Sequence, residues 1–100
     1  MEYGLIYEFP ASVGRDEYEA VNAKLGIDGA DPKSPWPAGL ISHASGKAGD
    51  GGFWLFEVWE SKAHQENFAG SRLGAALAAV GVPAPTRVVE LELINHQELG

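Results

Sequence analysis

The chain has 100 residues and 10.6 kDa, which is room for one small domain over residues 1–100 with a single core. Its 14 acidic side chains outnumber 7 basic ones, and the resulting charge of −7 repels phosphate backbones and anionic lipid, so nucleic-acid and membrane-surface binding are excluded. Cysteine is absent, which removes disulfide and thiolate chemistry; with no apolar run of membrane length and no signal-like start at Met1-Glu2-Tyr3, the expected location is the cytoplasm.

Glu2–Phe9 is rich in aromatic and branched residues and stops at Pro10, which cannot donate to a ladder; a first strand is predicted. Within Gly14–Leu25, Tyr18, Val21 and Leu25 recur at helical spacing. Asp16 and Glu17 oppose the positive end of the helix dipole and Gly26 offers a stop, so a helix of about three turns follows. Ile27–Ala38 holds Gly29, Pro32, Pro35 and Pro37 and is irregular, with Trp36 as its one large apolar residue. Gly39–Gly46 reads as a weaker strand and Phe53–Trp59 as the strongest in the chain. Between them Ala48–Gly52 is a turn, in which Asp50-Gly51 suits positive backbone angles, so the two strands form a hairpin. Ser61 caps a second helix that runs to about Val80 and is closed by Gly81. Ala69, Leu73, Ala76, Leu77 and Val80 make its later apolar stripe; Phe68 falls off that stripe, and Gly70-Ser71 beside it permits a kink or break. Val82–Pro85 is an extended linker. Thr86–Ile94 is the last strand, with Val89, Leu91 and Leu93 on one face and Glu90 and Glu92 on the other.

The order β-α-β-β-α-β defines an α+β, ferredoxin-like fold: a four-stranded antiparallel sheet with both helices on one face. The other face of such a sheet meets water and ought to be polar. The third strand contradicts this, because Phe53, Leu55 and Trp59 occupy one face while Trp54, Phe56 and Val58 occupy the other. A sheet that is apolar on both sides needs a second cover, and the simplest is a second copy of the chain, sheet against sheet, in a homodimer. An open ligand groove on a monomer is the alternative.

Val58-Trp59-Glu60-Ser61 leading into the second helix, then Phe68, then Leu73-Gly74-Ala75-Ala76-Leu77, resemble the dimeric α+β barrel superfamily, in particular its antibiotic-biosynthesis-monooxygenase-like branch. Phe9-Pro10, the stretch from Gly39 to Gly46 around His43, and Val82-Pro83-Ala84-Pro85 are similar to small actinobacterial members. The resemblance spans nearly the whole chain and implies a barrel built by two protomers. It leaves the activity open, since the superfamily includes cofactor-free oxidation of aromatic polyketides, haem degradation, lactone isomerisation and plain ligand binding. The haem-degrading branch carries an Asn on the first strand and a Trp and a His on the second helix. Tyr7, Phe68 and Ala78 stand at those places here, so the axial ligand is missing and haem is disfavoured.

If Val89, Leu91 and Leu93 face the helices, Trp54, Phe56 and Val58 pack under them too, while Phe53, Leu55, Glu57 and Trp59 look into the barrel. The family pattern puts Phe9 under the helices and Glu8 inside. His43 shares a face with Glu57 in the ordinary hairpin register. These placements make an aromatic cavity with one imidazole and one or two carboxylates, suited to a small aromatic or other organic molecule. His43 is the expected proton acceptor, Glu57 or Glu8 its partner, and Trp59, Trp36, Tyr7, Phe53 and Leu55 the wall. A deprotonated, electron-rich aromatic reacts with dioxygen without metal or flavin, so no cofactor is expected.

Plainer readings stand beside these. His43 also serves as a hydrogen-bonding strand residue, Glu57 as an ion-pair partner across a dimer, Trp59 as an interface anchor, and Trp36 as a plug for its loop. Three readings therefore compete: a cofactor-independent monooxygenase-like enzyme of secondary metabolism, a non-catalytic ligand-binding or accessory protein of the same fold, or a stress or housekeeping dimer in which the pocket is packed core. His43, His64 and His96 lack metal-binding spacing, Lys47 among its glycines lacks phosphate-loop order, and Glu60 with His64 reads as a local surface pair.

Overall fold

The structure, a computed structural model, describes residues 2–99. Its elements are β1 (Tyr3–Phe9), α1 (Arg15–Leu25), β2 (Leu40–Lys47), β3 (Phe53–Trp59), α2 (Lys62–Phe68), a π-helical turn (Ala69–Leu73), α3 (Gly74–Val80) and β4 (Arg87–Glu92). The strands form one antiparallel sheet in the order β2-β3-β1-β4, the ferredoxin-like arrangement. Among the described residues no helix is long and apolar enough to cross a membrane.

Each element ends for a local reason. The Glu17 carboxylate accepts from the Gly14 amide at 2.9 Å at the start of α1, and Gly26, at φ 75°, closes it. Ser61 Oγ accepts from the His64 amide at the head of α2, and Gly81, at φ 83°, closes α3. Gly39 is held at φ 87°, with the His64 ring where a Cβ would stand. The predicted break beside Gly70-Ser71 is the π-helical turn. At about 100° per residue, eight residues of α-helix would leave Phe68 and Ala76 about 80° apart. The wider winding of the π turn takes up most of that angle, and both side chains are buried.

The two faces of the sheet are assigned opposite to expectation. Directly opposed residues share a face. Tyr3, Leu5, Tyr7 and Phe9 oppose Trp59, Glu57, Leu55 and Phe53, and this is the face under the helices, where Leu5 is 2% and Trp59 0% exposed. Trp54, Phe56 and Val58 were expected there; they lie on the open face instead, with Trp54 39% and Phe56 40% exposed. Val89 and Leu91 pair with Ile6 and Gly4 on that same open side. The cause is that alternation cannot choose between two apolar faces of β3, and β4, an edge strand, misleads. Its helix-side Glu90 sits near solvent, where it accepts from the Tyr3 hydroxyl and pairs with Lys62 at 3.3 Å.

Candidate functional site

A cavity of about 190 Å³ lies between the sheet and the helices of the single chain, where the sequence reading expected it inside a barrel of two chains. β1 contributes Tyr7, β2 His43, β3 Phe53, Leu55 and Glu57, and the loop before β2 contributes Trp36. α1 adds Tyr18, Val21 and Asn22 from its inward stripe, and Phe68, Leu73 and Leu77 close the far side. The π turn matters here, because Ala69 and Leu73 within it line the space.

His43 and Glu57 face each other across the β2–β3 ladder, so their proximity follows from hairpin register alone. His43 Nε2 stands 4.0 Å from Glu57 Oε2, and the other ring nitrogen, Nδ1, lies 3.4 Å from the Tyr18 hydroxyl. The imidazole is held flat between rings: Tyr18 stacks on it with centroids 5.7 Å apart, and Trp36 leans over it at 5.5 Å. Trp36 is itself held, since its indole N–H donates to the Asp31 carbonyl at 3.0 Å. Behind the pair, Trp59 Nε1 donates to Glu57 Oε1 at 3.2 Å.

Burial sets the protonation states. Glu57 is 7% exposed, and removal from water pushes its carboxyl up to about 7, partly offset by the Trp59 N–H. The same desolvation pulls His43 below its ordinary value. Tyr7 is pushed up to about 12, first by burial and then by the Glu57 charge, with the Gln65 hydrogen bond opposing. It therefore stays a neutral hydroxyl at all ordinary pH, fixed by Gln65 Nε2 at 2.9 Å. Burial thus brings a carboxyl and an imidazole closer to each other in proton affinity, 4.0 Å apart, and a proton-transfer site needs groups matched in that way.

The structure brings together six of the eight predicted site residues: His43, Glu57, Trp36, Tyr7, Phe53 and Leu55 all line the cavity. Trp59 does not line it. It is wholly buried behind Glu57, packed on Phe68 at 5.8 Å, and holds the carboxylate from the rear. Glu8 stands on the open face, opposite Trp54 and Arg87, and pairs with Arg87 at 3.7 Å; it cannot reach His43 through the sheet. Tyr18, Asn22 and Gln65 escaped the sequence reading. Tyr18 carried the signal of a core position on the α1 stripe, and nothing in the sequence pairs it with His43, 25 residues away. Glu60 and His64 do form the expected surface pair, at 3.7 Å. Among the described residues no group of three or more His, Asp or Glu could hold a metal ion.

No protein-family model and no curated protein sequence matches the chain. Solved structures do match its fold. A protein of Chloroflexus aurantiacus described as an antibiotic biosynthesis monooxygenase superposes with a TM-score of 0.65 at 19% identity, over 100% of both chains. SnoaB of Streptomyces nogalater, described as a cofactor-independent oxygenase, gives 0.64 at 15% identity over 95% of each chain. A monooxygenase of Streptomyces coelicolor, solved with the ligand nanaomycin D, gives 0.62 at 18% identity over 98% of this chain and 92% of that one. The chain thus shares the ferredoxin-like α+β fold of these monooxygenase structures.

Proposed function

We propose that the protein is a cofactor-independent monooxygenase-like enzyme that oxidises a small hydroxyaromatic molecule in the cavity between sheet and helices. The observation that carries this reading is the buried Glu57–His43 pair, with the Tyr18 hydroxyl beside the other ring nitrogen of His43. With Glu57 ionised, its charge 4.0 Å from Nε2 favours the tautomer that carries its proton there and leaves Nδ1 as the proton acceptor. A substrate hydroxyl placed at Tyr18 gives its proton to Tyr18 while Tyr18 passes its own to Nδ1, and the imidazolium that forms is stabilised by the carboxylate. The resulting phenolate is electron-rich and reduces dioxygen. A carbon–oxygen bond forms at a ring carbon; the ring loses its hydrogen there, the oxygen–oxygen bond breaks, and one oxygen leaves as water. One phenol and one dioxygen thereby give one quinone and one water. Trp36, Tyr7 and Phe53 hold the ring and exclude bulk water.

The test is oxygen uptake with a panel of phenols and hydroquinones, alongside binding measured by calorimetry. Wild type is expected to consume one dioxygen per turnover, and His43→Gln to lose about a hundredfold or more in rate with binding retained. Ligand binding without oxygen uptake by wild type would overturn the enzyme reading in favour of a ligand-binding or accessory protein.

The reading also includes a partner. The open face presents Trp54, Phe56 and Leu91, 38–40% exposed, with Ile6 and Val89 beside them, an apolar surface that a second copy of the chain would cover. Since the cavity opens on the other side of the sheet, such a homodimer leaves both sites accessible.

A further inference from the structure

The cavity is small and its surroundings are unequal, and together these constrain what can enter it. Its volume is about 190 Å³. A cavity of roughly 150 Å³ encloses benzene, whereas pockets for larger organic ligands begin at roughly 300 Å³. One substituted ring therefore fits wholly inside, and a rigid skeleton of three fused rings is too long to do so. A second, open groove of about 1010 Å³ runs between α1 and the β2–β3 turn, and the two spaces share Val13, Tyr18, Asn22, Ile27 and Phe53 along their seam.

The groove differs from the cavity in chemistry. Its charged residues are Arg15, Glu19, Asp28 and Lys47, two of each sign, and Arg15 is already bound to Glu19 at 2.8 Å. It thus offers hydrogen bonds without a field that would select an ion. At the seam sits Asn22, only 8% exposed, whose Nδ2 is buried with no hydrogen-bond partner among the described residues. An unpaired buried amide costs stability, typically about 1–3 kcal/mol, and natural proteins rarely leave one unless something else satisfies it.

We infer that the substrate is a single-ring phenol bearing an uncharged, hydrogen-bonding arm, with the ring seated beside His43, its hydroxyl at Tyr18, and the arm reaching Asn22 and the outer groove. This deepens the function proposed above and rests on it for the placement of the phenol hydroxyl. Asn22 here is a specificity-determining residue. Its amide, part of the lining of both spaces, rewards an arm that hydrogen-bonds it, and it plays no part in moving the proton.

Binding alone tests this, by calorimetry with three probes: hydroquinone, its 4-hydroxyphenyl glucoside, and the three-ring phenol 1,8-dihydroxyanthraquinone. The glucoside is expected to bind about tenfold more tightly than hydroquinone, and the three-ring phenol to displace neither. Asn22→Leu, which replaces the unpaired amide by an apolar group of similar size, is expected to fold and to keep its affinity for hydroquinone while losing the tenfold gain. A three-ring phenol that binds as tightly as the glucoside, or a gain that survives Asn22→Leu, would overturn the inference and leave the cavity reading intact. If none of the three probes binds, the cavity reading itself falls, and the inference with it.

Discussion

Glu57 is where stability and activity pull against each other. Its carboxyl ionises near 4.5 in the unfolded chain and near 7 in the folded one, because the fold takes it out of water. Between those values the folded state holds a proton that the unfolded state has lost, so stability falls as pH rises from about 4.5 to about 7. The full effect is on the order of 3 kcal/mol. His43 works in the opposite sense: its folded value lies below 6.5, so stability is lost as pH falls from 6.5 through that lower value. Glu57→Gln keeps the acceptor for Trp59 and removes the titration. The variant is expected to be more stable than wild type at pH 8 by up to about 3 kcal/mol in urea unfolding, to show no decline between pH 4.5 and 7, and to keep the loss on the acid side of 6.5. Its oxygen uptake is expected to be strongly reduced, and the rise of wild-type activity with pH through about 7 to disappear. A variant no more stable than wild type at pH 8 would show that Glu57 is not held out of water.

At the level of elements, β1, α1, the hairpin and the capped second helix were legible because each carries its own punctuation: Pro10, Gly26, Asp50-Gly51, Ser61 and Gly81. The site was legible where local register sets it. His43 and Glu57 meet because they are opposed in a hairpin with a short turn. What was not legible depends on helices docking. Tyr18 reaches His43, and Gln65 reaches Tyr7, only after α1 and α2 settle on the sheet. Arg72 in the π turn is a clear case. Its Nη2 donates to the Leu25 carbonyl at 2.7 Å, satisfying one of the free carbonyls at the end of α1 and tying that end to the turn that lines the cavity. Nothing in the sequence connects these residues, which are 47 positions apart. A charge-assisted hydrogen bond of this kind, partly open to solvent, contributes about 1–2 kcal/mol. Arg72→Met, which keeps the apolar stem, is expected to lose about that much in thermal unfolding and to speed amide exchange at the last turn of α1. Unchanged exchange there would mean that the tie does not hold α1.

On the scale of the whole molecule, the sequence pattern showed that the sheet has two apolar faces but not which one the helices take. The helix-covered face turned out to be the one that carries the buried glutamate. Glu57 is supported there by the Trp59 indole and sits opposite His43. That leaves Trp54 and Phe56, two large aromatics of a central strand, together with Leu91, Ile6 and Val89, on the uncovered side. Fully burying an aromatic of this size stabilises by roughly 1.5–3 kcal/mol, and two copies of the chain meeting face to face would contribute four such rings. Light scattering behind size exclusion is expected to give a particle of twice 10.6 kDa. Phe56→Glu places a carboxylate at the centre of that surface, opposite itself in a two-fold arrangement, and is expected to shift the particle to a single chain. The cavity lies on the far side of the sheet, so the separated chain is expected to bind hydroquinone as the wild type does. A wild-type mass of 10.6 kDa would leave the open face without its partner. Loss of binding on separation would instead mean that the second copy helps to shape the site.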